Sequence, residues 1–366
     1  MDRLIPQSLF YGLNQFTLVL IVAVATAVLV KAADLLVEGA AGIAFRMGMS
    51  KVIVGATIVS LGTTTPETAV SVMAAWEGNA GLALGNAVGS IVADTGLIFG
   101  LGCIITTLPA DRFVLMRQGW IKIATGFLLA ALCYGSWLIK GDAAELGRWV
   151  GILLLALLAA YLYVSVKWSR KHPHGEPFVT AVTEDATVED AVTAVVRDEE
   201  LRSRPLKLLA VMAICGLVLI ILSSRILIGS VTQLAVDWGI SQAVIAGTIV
   251  AIGTSLPELV VGMTAIFRGH KELLVGNVIG ADILNVLFVI GASAAAMPLP
   301  IIEPLAKLPE IFLVIHIPAM IAMMLLFLVY IFVAARRGSF ARWFGWPLVG
   351  LYVLYVVLLL VFGETA

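Results

Sequence analysis

The chain has 366 residues, of which 61% are hydrophobic and only 13% charged, about half the charged share of a soluble domain. That balance excludes a water-soluble globular fold; the formal net charge of −1 says nothing specific about partners, and no nucleic-acid partner is expected. Cys103, Cys133 and Cys215 all fall in apolar stretches, so no disulfide framework is expected.

Apolar runs of about 20 residues recur along the chain. They predict ten transmembrane helices, at 14–38, 51–76, 80–107, 119–139, 148–168, 206–236, 241–267, 272–297, 309–334 and 345–362. The runs are too long and too uniformly apolar for alternating barrel strands, so the expected fold is an all-α membrane protein. The first run lacks a basic leader region and a small-residue cleavage site, and reads as a membrane helix. Ten spans divide the basic residues unequally. Arg46, Lys51, Arg112, Arg117, Lys122, those of 167–207, Arg268, Lys271, Arg336, Arg337 and Arg342 share one side, while Arg3, Lys140, Arg148 and Lys307 share the other. The richer side is expected to be cytoplasmic, which puts both termini outside. The expected location is a prokaryotic cell (inner) membrane, the expected state a monomer surrounded by lipid. Residues 169–205 form the one sizeable aqueous segment, acidic at its middle, and read as a solvated linker.

The chain repeats itself. GATIVSLGTTTPETAVSV…GLALGNAVGSIVADTGLIFG (55–100) aligns without a gap on AGTIVAIGTSLPELVVGM…ELLVGNVIGADILNVLFVIG (246–291). Thr63 falls on Thr254, Pro66 on Pro257, Glu67 on Glu258 and Asn86 on Asn277. The halves, 1–168 and 206–366, would each hold five helices, an odd number, so they are expected to insert with opposite orientation as inverted-topology repeats.

Each repeat places a glutamate and a proline inside an apolar span. A carboxylate there is costly and marks a functional site. Pro66 and Pro257 remove a backbone donor and crowd the carbonyl four residues back, at Gly62 or Gly253. Thr63, Thr64, Thr254 and Ser255 add carbonyl and hydroxyl oxygens within the same turn. That oxygen set suits hard cations such as Ca²⁺ and Na⁺, and no histidine–cysteine cluster favours zinc or copper. In the next spans, GN-x-x-G (85–89 and 276–280) provides small residues for close helix approach. Beyond it, Ser90 and Asp94 share one helical face, and Ala281 and Asn285 hold the same positions in the second half.

These paired motifs resemble the alpha-repeats of the sodium/calcium exchanger family, within the cation/calcium antiporter superfamily. The resemblance implies one central site, alternately open to each side, that exchanges Na⁺ for Ca²⁺, with no cofactor and no enzymatic activity. By residue-for-residue carry-over, Glu67 and Glu258 would be the principal Ca²⁺ ligands, joined by the Thr63 and Thr254 carbonyls. Thr64, Ser90, Asp94, Ser255 and Asn285 would occupy the family's positions for Na⁺ coordination and the middle of the site. Three departures stand out. Thr64 replaces a serine, the Asp94/Asn285 pair reverses the usual halves, and Ala281 replaces a serine that is a Na⁺ ligand in the family. Asp282 points about 100° from Ala281 and reads as a supporting residue. Other readings are an exchanger driven by H⁺ or dependent on K⁺ and, from another class, an intramembrane aspartyl protease built on Asp94-Thr95-Gly96. The protease reading lacks a second aspartate at Asn285.

Overall fold

The computed structural model describes residues 7–47, 51–76, 78–171, 203–238, 255–302 and 311–363. Among these, eight helices are long and apolar enough to cross a membrane, joined by two shorter apolar ones. In chain order the helices are α1 (Gln15–Met47), α2 (Val52–Thr63), α3 (Thr65–Trp76), α4 (Ala80–Ile105), α5 (Leu115–Ala143) and α6 (Arg148–Lys171). They continue with α7 (Leu206–Asp237), α8 (Leu256–Phe267), α9 (Lys271–Ala296), α10 (Phe312–Arg337) and α11 (Gly345–Gly363). Most of the 169–205 linker lies outside the described residues.

Burial sorts these helices into layers. In α9, 94% of the central window is buried, and in α4 72%, against 28% for α1, α6, α7 and α11. The outer helices expose Phe16, Trp149, Ile214 and Val361, side chains that only a lipid surround accommodates without cost. The chain is therefore a multi-pass membrane protein whose two innermost spans are those that carry GN-x-x-G.

Among the described residues, the helices α3 to α6 of the first half recur in order as α8 to α11 in the second. The α3–α4 and α8–α9 turns close alike. Asn79 N–H bonds the Ala74 carbonyl and His270 N–H the Ala265 carbonyl, both at 2.8 Å. Gly78 (φ 78°) and Gly269 (φ 76°) take the left-handed conformation that such a helix end requires. Short antiparallel ribbons then link the halves. Strand β1 (Leu108–Pro109) pairs with β4 (Ser339–Phe340), and β2 (Glu145–Leu146) with β3 (Leu299–Pro300).

Among the close helix crossings, two bear on the broken helices and on the α1–α7 pair. In the first, α9 presents Gly276 to the Val52 backbone and Gly280 to the Ala56 carbonyl and Ser60 hydroxyl. In the second, Gly39 of α1 meets the Leu209 and Ala213 backbone of α7, and Gly216 meets Ala32 and Leu36. The α1–α7 pair shares an apolar cluster with Val54, Val59, Val261 and Ala265, separate from the main core around α4, α9 and α10. Gly85 and Gly89 behave differently from their counterparts, facing His316 and the Tyr355 hydroxyl at 3.4 Å or more.

Candidate ion-binding site

The helix breaks at Thr64 and Ser255 are alike in detail. Thr64 has φ −80°, ψ −4° and Ser255 φ −88°, ψ 9°, the sparsely populated bridge region. In each case a proline stands two residues on, where its missing N–H costs the new helix nothing. The helix restarts on the carbonyl of the break: Thr68 N–H bonds Thr64 and Leu259 N–H bonds Ser255, both at 3.1 Å. Glu67 and Glu258 thus lie in the first turn of α3 and α8, where the helix dipole favours negative charge.

The two acids come together. Glu67 is 1% exposed and Glu258 2%. The Glu258 carboxyl faces the side chains of Thr63, Thr64 and Glu67. Glu67 in turn has Glu258 and Asp94 as electrostatic neighbours, and Arg225 beyond them. Ser255 Oγ donates to Ser90 Oγ at 3.3 Å across the two halves. Asn277 accepts from Thr63 Oγ1 at 3.4 Å, while Asn86 donates to the Glu67 carbonyl at 3.4 Å and to Ser71 Oγ at 3.0 Å. The paired asparagines of GN-x-x-G therefore brace the broken helices.

What the site leaves unpaired is its clearest chemical signature. Among the described residues, both Glu67 oxygens, both Asp94 oxygens, Glu258 Oε2, Thr64 Oγ1, Ser60 Oγ and Asn285 Oδ1 are buried without a hydrogen-bond partner. Each such atom costs about 1–3 kcal/mol, and a buried carboxylate more. Concentrated around two helix breaks, they form an oxygen set for a hard cation. No three acidic, histidine or cysteine side chains among the described residues close on one point as a metal cage; the oxygens gathered here include hydroxyl and amide as well as carboxylate. Of the expected ligands, Glu67, Glu258, Thr63, Thr64, Ser90, Asp94, Ser255 and Asn285 are buried; Thr254 lies outside the described residues. Asp94 and Asn285 each open a π-helical turn, Asp94–Phe99 and Asn285–Ile290, a feature frequent at functional sites.

One sequence assignment needs correcting, and one feature of the site was missed. Lys122 does not belong with the loop charges. It is 0% exposed inside α5, its ammonium 2.7 Å from Asp282 Oδ2 and 2.8 Å from Thr95 Oγ1. The position of Lys122 within the predicted 119–139 span carried that signal. The Asp282 carboxylate pairs with this lysine. Asp34 and Glu38 of α1 pair with Arg268 in the α8–α9 turn, Arg268 Nε lying 2.7 Å from Asp34 Oδ1. His316 is half-buried and hydrogen-bonded to the Tyr355 hydroxyl at 2.7 Å.

Paired helix breaks that bury acids in the middle of a multi-pass bundle define a membrane transport protein. The family model for the sodium/calcium exchanger protein matches residues 17–167 and 208–361, and the chain belongs to that family. A putative antiporter, CaxA, of Alkalimonas amylolytica is 31% identical over 76% of this chain and 80% of its own length. The sodium/calcium exchanger MaX1 of Methanosarcina acetivorans is 29% identical over 90% and 95%. The solved sodium-calcium exchanger NCX_Mj, soaked with 2.5 mM Na⁺ and 10 mM Sr²⁺, superposes with a TM-score of 0.72 at 25% identity, covering 94% of this chain and 99% of that one.

Proposed function

We propose that the chain is a secondary antiporter that exchanges Ca²⁺ for Na⁺ by alternating access at the Glu67–Glu258 site. The observation that carries this reading is the meeting of two buried acids, one from each repeat, among unpaired oxygens. Empty and ionised, that site is costly in a low-dielectric interior. Ca²⁺, several Na⁺ or protons relieve the cost, and exchange is coupled if only an occupied site passes between the two open states. The Thr63 and Thr254 carbonyls complete the Ca²⁺ shell in this reading. Ser90, Asp94, Ser255, Asn285 and Thr64 serve Na⁺.

Strand pairing supports the ten-span, inverted-repeat topology. Strands β1 and β2 lie at opposite ends of α5, and β3 and β4 at opposite ends of α10. Because β1 pairs with β4 and β2 with β3, the equivalent strands β1 and β3 fall on opposite faces. The α1–α7 pair packs directly on the broken helices through Val54, Val59, Val261 and Ala265, and in this reading it shifts against them while the site stays in place.

The test is ⁴⁵Ca²⁺ uptake into proteoliposomes under separate Na⁺, K⁺ and H⁺ gradients. An outward Na⁺ gradient is expected to drive uptake against a Ca²⁺ gradient, which a channel cannot do. Glu67→Gln and Glu258→Gln are each expected to abolish it. Normal Na⁺-driven uptake in either variant overturns the site, and uptake driven only by K⁺ or H⁺ overturns the choice of coupling ion.

A further inference from the structure

The proposed exchange gives no role to Lys122, a buried lysine beside the site. Lys122 and Asp282 are both fully enclosed, with a 2.7 Å contact between them. The ammonium also donates to Thr95 Oγ1 at 2.8 Å, and Thr95 Oγ1 donates to Asp282 Oδ2 at 2.6 Å. The Phe327 ring lies 3.7 Å beneath the ammonium, adding a cation–π contact. Four helices therefore contribute to one cation: α4, α5, α9 and α10. Thr95 follows Asp94 in the chain and Asp282 follows Ala281, so this cage adjoins the transport site. Asp94 interacts electrostatically with both Asp282 and Lys122.

A buried ion pair is weak evidence for stability, since apolar residues of equal volume often serve as well. Its placement here argues for a different use. With Asp282 included, the acids in and beside the site are Glu67, Glu258, Asp94 and Asp282, and every uncompensated one asks for a mobile cation. We infer that Lys122 is a resident cation of the transport site. Its ammonium fills a monovalent-cation position formed by Asp282 and Thr95, and so lowers by one the number of mobile cations each cycle requires. This rests on the proposed Na⁺/Ca²⁺ exchange and concerns its stoichiometry.

The experiment measures, in proteoliposomes with clamped voltage, the Na⁺ gradient at which net ⁴⁵Ca²⁺ flux is zero, at two pH values. Lys122→Met leaves Asp282 uncompensated, and its balance point is expected to shift to that of one further monovalent cation per Ca²⁺. Comparison of the two pH values identifies that cation as Na⁺ or H⁺. Lys122→Met/Asp282→Asn restores charge balance and is expected to return to the wild-type balance point, whatever its rate. A merely structural lysine changes rate or folded yield without moving the balance point. An unchanged balance point in active Lys122→Met at both pH values overturns the inference. If Lys122→Met does not fold, Asp282→Asn carries the test. Its unpaired ammonium beside Asp94 is expected to raise the half-saturating concentrations of both Ca²⁺ and Na⁺; unchanged values overturn the inference. A wild type without Na⁺-driven flux fails the proposed function instead, and the comparison is then made with whichever monovalent gradient drives it. Absence of any driven flux overturns both.

Discussion

At the scale of single residues, the resemblance to the exchanger family implies a departure at Ala281. In the sequence reading, serine at this position supplies a Na⁺ ligand; alanine, fully buried here, supplies none. Ala281→Ser returns one hydroxyl oxygen at the cost of one added atom, and is expected to give tighter or steeper Na⁺ activation of Ca²⁺ uptake. An unchanged Na⁺ dose response removes Ala281 from the account. The main acids were legible in the sequence because a carboxylate within an apolar run is so costly that it needs a reason. Lys122 was harder to read. A lysine near a span end ordinarily snorkels to water, and nothing in its local sequence indicates the aspartate it meets, which lies in another helix and the other repeat. Thr95 and Phe327 became partners only through packing.

At the scale of elements, the proline breaks were predictable because ring geometry dictates them. The π-helical turns at Asp94 and Asn285 were not, since a shift from i−4 to i−5 bonding leaves no local composition signal. The glycines of GN-x-x-G were expected to serve close helix contact in both repeats, yet only the second pair meets another backbone among the described residues. A methyl group on Gly280 would collide with the Ala56 carbonyl and Ser60 Oγ of α2. Gly280→Ala is expected to lose about 1–3 kcal/mol, seen as a lower melting temperature in detergent. Gly135→Ala, also inside a helix but where an added Cβ meets nothing within 4 Å, is the clash-free comparison and shares the gain in helix propensity. Equal melting temperatures for the two variants contradict the close crossing.

At the scale of the whole molecule, the proposed inverted arrangement makes a prediction that does not depend on ion chemistry. Cysteines introduced at Arg112 and Arg337, in a background lacking Cys103, Cys133 and Cys215, are expected to react with an impermeant maleimide from the cytoplasmic face. Cysteines at Asp142 and Pro298 are expected to react from the opposite face. Labelling of Arg112→Cys and Pro298→Cys from the same side contradicts inversion. Repeat symmetry was legible in the aligned motifs, but the ribbons were not, because two-residue strands have no periodicity to detect.

Those ribbons have a mechanical consequence. One staples the repeats together at each end of the bundle, with Ala110 N–H bonding the Gly338 carbonyl at 3.0 Å and Ile301 N–H the Ala144 carbonyl at 2.8 Å. Two halves fastened at both faces resist being prised apart like jaws. In the proposed cycle the body they enclose acts as a stator, and the α1–α7 pair, which neither ribbon reaches, is the sliding door that uncovers the same acids first to one side of the bilayer and then to the other.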